Sequence, residues 1–144
     1  MTNLYLVKIP TSSEEELEIQ RFFLEKVISA VYTCPEESAI GIAKELNCSD
    51  EIYCISSLSC FGLNDHSEVQ ECIIDGISSI VHEGKEGNVL LLIPGIFLGA
   101  AIQFFDDTYT MEEFQYGLSR KPWITQFTFE GEVCKDIQEI IVKM

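Results

Sequence analysis

The chain has 144 residues, 47% of them hydrophobic, and carries 24 acidic against 9 basic side chains for a formal net charge of −15. This apolar content excludes general disorder, and the length suits one core burying about 70% of the unfolded surface. The acidity excludes nucleic acid and anionic membrane as natural partners and favours a basic one.

Asn3 to Ile9 alternates, with β-branched and aromatic residues, and predicts a first strand closed by Pro10. Thr11, Ser12 and Ser13 each precede a glutamate by three residues, a repeated capping-box pattern. It predicts a helix from Ser13 to Tyr32 whose Leu17, Phe23, Leu24, Val27, Ile28 and Val31 form a broad apolar face. Pro35 sits in the first turn of a second helix, PEESAIGIAKELN, with Asn47 as its C-cap. Glu51 to Cys60 reads as a central strand and FGLNDHS as a turn. In the next helix Val69, Cys72, Ile73, Gly76, Ile77, Ile80 and Val81 repeat at i, i+3, i+4; Ser67 with Gln70 opens it and Gly84 stops it. The apolar run Asn88 to Ile93 predicts a strand covered on both faces.

After Pro94-Gly95, Ile96 to Phe105 is read as a β-hairpin partner, although GAAIQFF also suits a helix. Thr110 with Glu113 caps a short helix, WITQFTFEG supplies a last strand, and Val133, Ile137, Ile140 and Ile141 mark one face of a C-terminal helix. The expected order is β-α-α-β-α-β-β-α-β-α, a single α/β domain over residues 1–144 with a mixed sheet.

Six cysteines, at 34, 48, 54, 60, 72 and 134, form no C-x-x-C pair and no zinc-like spacing, so free thiols are expected and no metal or cofactor site. Gly84-x-x-Gly87 follows a helix and so reads as a C-cap and turn rather than a phosphate loop. The nine basic residues are scattered, with only Arg120-Lys121 adjacent. The N-terminus lacks secretory-signal features, and the run NVLLLIPGIFLGAAIQFF is broken at Pro94-Gly95, so a cytoplasmic protein without a membrane span is expected.

From about Ile28 to Pro94, the succession TCPEESAIGIAKELN, strand, SCFG, a helix containing DGISSIVHEG, and GNVLLLI resembles the amino-terminal half of the ketoacyl-acyl-carrier-protein synthase III group of the thiolase superfamily. The resemblance implies half of a thiolase-like fold. It aligns Cys60 with the family's nucleophile, Gly62 with its turn glycine and Asn88-Val89-Leu90 with the start of a strand. Phe61 departs from the small residue usual there. The histidine and asparagine of the family's carboxy-terminal half have no counterpart, because no histidine follows His82.

Two functional expectations follow. In the first, the chain is a non-enzymatic acidic binder, an immunity protein neutralising a basic toxin nuclease. Its contact loop is FFDDTYTMEEFQY, with Asp106, Asp107, Glu112 and Glu113 for steering and Tyr109, Phe114 and Tyr116 as aromatic anchors. In the second, Cys60 accepts an acyl group, with His66 six residues away to activate it. A homodimer seamed along Ile96 to Phe105 is compatible with either.

Overall fold

Seven parallel residue pairs, Thr2 with Gly87 through Lys8 with Ile93, join the first strand to the run GNVLLLI in the middle of a six-stranded sheet. The computed structural model describes residues 1–58, 65–84 and 86–142. Its elements in chain order are β1 (Thr2–Lys8), α1 (Ser13–Phe23), β2 (Ile28–Thr33), α2 (Glu37–Leu46), β3 (Ile52–Cys54), a 3₁₀ turn (Ser56–Leu58), α3 (His66–His82), β4 (Gly87–Ile93), α4 (Gly95–Phe105), α5 (Met111–Ser119), β5 (Ile124–Glu130) and β6 (Val133–Ile140). The spatial order is β3-β2-β4-β1-β5-β6. The first four run parallel; β5 is antiparallel to both β1 and β6.

Alternation along the strands divides the core in two. Leu4, Leu6, Val89, Leu91, Phe127 and Phe129 face α3, α4 and α5, while Tyr5, Val7, Leu90, Leu92 and Ile124 face α1 and α2. The expected α/β domain with a mixed sheet is therefore observed. So are β1, the doubly covered β4, the α3 stripe, the left-handed Asn47 C-cap and the Thr110–Glu113 capping box.

Five expectations are corrected. The first helix ends at Phe23 and ISAVYT is strand β2. Leu24 and Val27, counted on the apolar face, are 77% and 84% exposed, and β2 instead fills a parallel slot between β3 and β4. The stretch read as a central strand reduces to the three-residue edge β3, and because β2 lies between β3 and β4, α3 crosses over a strand. Asp65 caps α3 in place of Ser67, accepting from the Glu68 N–H at 2.9 Å. Ile96 to Phe105 lies in helix α4, and the expected C-terminal helix is β6. Of the proposed dimer seam, Phe97, Leu98, Ala100 and Ala101 are fully buried in the chain's own core, and Ile96 and Phe104 remain on the surface.

Helix α4 meets α5 at Gly99, and α5 meets the segment before β5 at Gly117. A methyl group on Gly99 would lie 2.5 Å from the Phe114 ring, and one on Gly117 would overlap the buried Trp123. Gly99→Ala is expected to lower stability by about 1–3 kcal/mol through overpacking. Thermal unfolding checks this, and an unchanged midpoint would show that the interface can give way.

Candidate functional site

Helix α1 leaves β1 on one face of the sheet and α4 leaves the neighbouring β4 on the other. In an open α/β sheet this change of side opens a crevice beyond the carboxyl ends of the two strands, where ligands bind. The residues leaving β1 are Lys8-Ile9-Pro10, and those leaving β4 are Ile93-Pro94-Gly95. The Ile9 N–H donates to the Ile93 carbonyl at 2.9 Å and holds the two exits together.

Lys8 is only 8% exposed. Its Nζ donates to the carbonyls of Leu118, at 3.1 Å, and Arg120, at 2.6 Å, at the end of α5, where helix carbonyls lack partners. Its stem lies on Gly95: a methyl group there would meet Lys8 Cδ at 3.1 Å and Leu118 Cδ2 at 2.8 Å. Burial lowers the Lys8 pKa, Glu15 opposes that shift and Lys121 adds to it, so both charges act at this point. Arg120, beside Lys121, contacts Glu139 at 3.1 Å. Lys8 and Lys121 thus lie together at this exit, while the Arg120 guanidinium is taken up by Glu139 and the Ile140 carbonyl on β6.

Opposite Lys8, Glu15 is 3% exposed. Its Oε1 accepts from the Thr11 N–H at 3.2 Å, its own N–H donates to Ser12 Oγ at 3.2 Å, and its Oε2 is buried without a hydrogen-bond partner. The first turn of α4 has no side-chain cap, which leaves its leading N–H groups available to an anion.

The residues singled out from sequence are dispersed. Cys60, with Phe61 and Gly62, lies outside the described residues. The thiols of Cys34, Cys48, Cys72 and Cys134 are all pushed up, in each case first by burial, and so away from the nucleophilic thiolate. His66 is the exposed first residue of α3, its ring centroid 6.0 Å from that of Phe114. His82 ends the same helix, about 24 Å away at 1.5 Å per residue, and meets Glu132 at 3.2 Å. In the acidic loop, Asp106 Oδ1 accepts from the Thr108 N–H and hydroxyl, Glu113 closes the α5 cap, and the Tyr109 hydroxyl donates to the Glu113 carbonyl. Phe114 is 5% exposed against α4, which removes it as a surface anchor; Asp107, Glu112 and Tyr116 are exposed.

Sequence reasoning missed Lys8 and Glu15 and set Arg120-Lys121 aside as an isolated pair. The available signal was a lysine closing an apolar strand. Among the described residues no group of three or more His, Cys, Asp or Glu is placed to hold a metal, and no helix is long and apolar enough to cross a membrane.

No family profile and no curated protein sequence matches this chain. Solved structures do match over nearly the whole length. Bacillus stearothermophilus YhfR superposes with a TM-score of 0.78 at 13% identity, covering 94% of this chain and 95% of that one. A histidine-to-alanine mutant of Entamoeba histolytica phosphoserine phosphatase, in complex with phosphoserine, gives 0.70 at 11%, covering 95% and 96%. Phosphoglycerate mutase from Bacillus anthracis gives 0.72 at 11%, covering 96% and 92%.

The fold is thus that of the phosphoglycerate mutases and these phosphatases, and the thiolase resemblance is overturned. The features that carried it, a helix, a strand, a turn and a helix leading to an apolar strand, are common to right-handed crossovers in unrelated folds. The immunity-protein and acyl-transfer expectations, and that of a non-enzymatic chain, are corrected with it: solved structures of this fold include a phosphoserine phosphatase and a phosphoglycerate mutase.

Two measurements check the local chemistry. Lys8→Met strips both carbonyls of their donor and is expected to cost about 2–3 kcal/mol in chemical denaturation. Tyr109 is pushed up to about 12 from an ordinary 10.0, first by burial and then by Glu139 and Glu113. Its contribution to stability is therefore full below the unfolded value and lost as pH rises through the folded one. An absorbance titration should lose a late-ionising tyrosine in Tyr109→Phe; overlapping curves would contradict the assignment.

Proposed function

We propose that this chain acts on small phosphorylated metabolites, in the phosphatase–mutase class, and holds the phosphate group at the carboxyl ends of β1 and β4. The observation that carries this is the buried Lys8 with Lys121 beside it at the crevice of a chain whose net charge is −15. An anion approaching so acidic a surface is repelled everywhere except at such a local reversal of sign. The uncapped N-terminus of α4 adds N–H donors at the same place. The fold neighbours supply the substrate class: one is a phosphoserine phosphatase holding phosphoserine, and another structure of that enzyme holds 3-phosphoglyceric acid.

Phosphoryl transfer through an imidazole needs a histidine on the carboxyl side of the sheet, and neither strand exit carries one. His66 begins α3 on that side, and His82 ends it at the other. His66 is therefore the residue proposed for phosphoryl or proton transfer. A cytoplasmic location belongs to the same proposal, since free cysteines suit a reducing compartment.

Calorimetric titration with phosphoserine and 3-phosphoglycerate, with phosphate release followed in the same samples, tests both parts. Saturable binding is expected, weakened on the order of tenfold by reversing the exposed Lys121 to Glu and weakened also by salt. His66→Asn should abolish phosphate release and leave binding intact. Absence of binding by either ester would overturn the site, whereas binding with turnover unaffected in His66→Asn would overturn only that residue's role.

A further inference from the structure

The two edges of the sheet are unequal: β3 offers three residues, and β6 offers eight, with β5 on one side of it and no strand on the other among the described residues. We propose that β6 is a self-docking surface, and that two copies of this chain join their β6 strands antiparallel about a two-fold axis at Ile137 to make one continuous sheet. This is independent of the phosphate site.

An isologous antiparallel pair sets each residue against one equally far beyond the axis, so the sequence of β6 selects among the possible axes. With the axis at Ile137, Lys135 faces Glu139 of the second copy on both sides, Asp136 faces Gln138, and Ile137 meets its own counterpart. The neighbouring axes fail. One at Asp136 sets two aspartates together, one at Lys135 two lysines, and one at Glu139 two glutamates, all destabilising directly across a ladder. One at Gln138 sets Ile137 against Glu139 and Lys135 against Ile141.

The ladder to β5 pairs Asp136 with Thr128 and Cys134 with Phe129, a bulge at Lys135 that shifts the phase of the strand before it, so the favoured register rests on residues 135–139 alone. The Glu139 side chain is 46% exposed and is held by Arg120 Nη1 at 3.1 Å, which fixes the carboxylate and leaves acceptor capacity for a lysine. The arginine also offsets one of the edge's two carboxylates, so this strip is close to neutral in a strongly acidic molecule. Adding a strand to an open edge is a common mode of recognition, and an eight-residue edge left open invites it.

Sedimentation equilibrium on the full chain tests the proposal. The wild type is expected at twice the 16.3 kDa of one chain. Lys135→Glu and Glu139→Lys should each weaken self-association by at least about tenfold, through two like-charge contacts per dimer. Mixing the two variants should restore a dimer, because both contacts are then of opposite charge. Circular dichroism shows that each variant is folded. A monomeric wild type at every accessible concentration overturns the proposal, as does a dimer that neither variant weakens or that mixing fails to restore.

Discussion

Val89, Leu90, Leu91, Leu92 and Ile93 have no exposed surface, and over that run β4 has no polar atoms except those of its backbone. Each of those N–H and C=O groups must find a partner without water, which requires a strand on both sides. β1 and β2 fill those places, both parallel to β4. Parallel neighbours need crossover connections, and the side chains on both faces need cover, so helices must lie above and below. Burial of five aliphatic side chains at about 1.5–3 kcal/mol each makes this strand the principal local source of stability. The change of side between α1 and α4, and hence the crevice, follows from that arrangement.

Much of this frame was legible in the chain. The uninterrupted run at Asn88 to Ile93 announces a doubly covered strand, and the stripe from Val69 to Val81 announces α3. What stayed hidden had physical causes. Leu24, Val27, Ile28 and Val31 continue the helical spacing of α1, and neither proline nor glycine marks its end at Phe23, so only tertiary pairing makes ISAVYT a strand. α4 is buried nearly all round, which erases the periodicity that identifies a helix. In β6 Ile137 packs on one face of the sheet and Ile140 on the other, so Val133, Ile137 and Ile140 fall at helical spacing while lying in a strand.

The candidate site was less legible than the fold. Carboxylates are frequent in this chain, but those in the described structure are largely taken up locally: Ser12 with Glu15, Asp65, and Thr110 with Glu113 cap helices, and Asp106 holds a turn. An acidic loop with aromatic residues between its carboxylates therefore resembled a contact surface while serving its own backbone. The informative feature was the scarce charge, not the abundant one. Lys8 and Arg120 stand 112 residues apart, and no local pattern connects them; antiparallel pairing of β1 with β5 and the return of α5 toward β1 bring them together.

Lys8 joins stability to function in a way that constrains both. Its ammonium has three donors, of which two lie on the carbonyls of Leu118 and Arg120. Those carbonyls stand at the end of α5, where the helix dipole favours a positive charge, and Glu15 opposes the lowering that burial imposes on the lysine. Under the proposed function, the remaining donor, with Lys121 nearby, is what an anion in the crevice would use against the opposing charge of Glu15. An alkyl side chain would forfeit all three donors, and a shorter cation would not span from β1 to α5. An arginine would need space that Gly95 provides only because it has no Cβ, and the Lys8 stem already fills it. The glycine that opens α4, the lysine that closes β1 and the carbonyls that end α5 therefore form one packed unit, and any ligand bound at the crevice is bound to that unit as a whole.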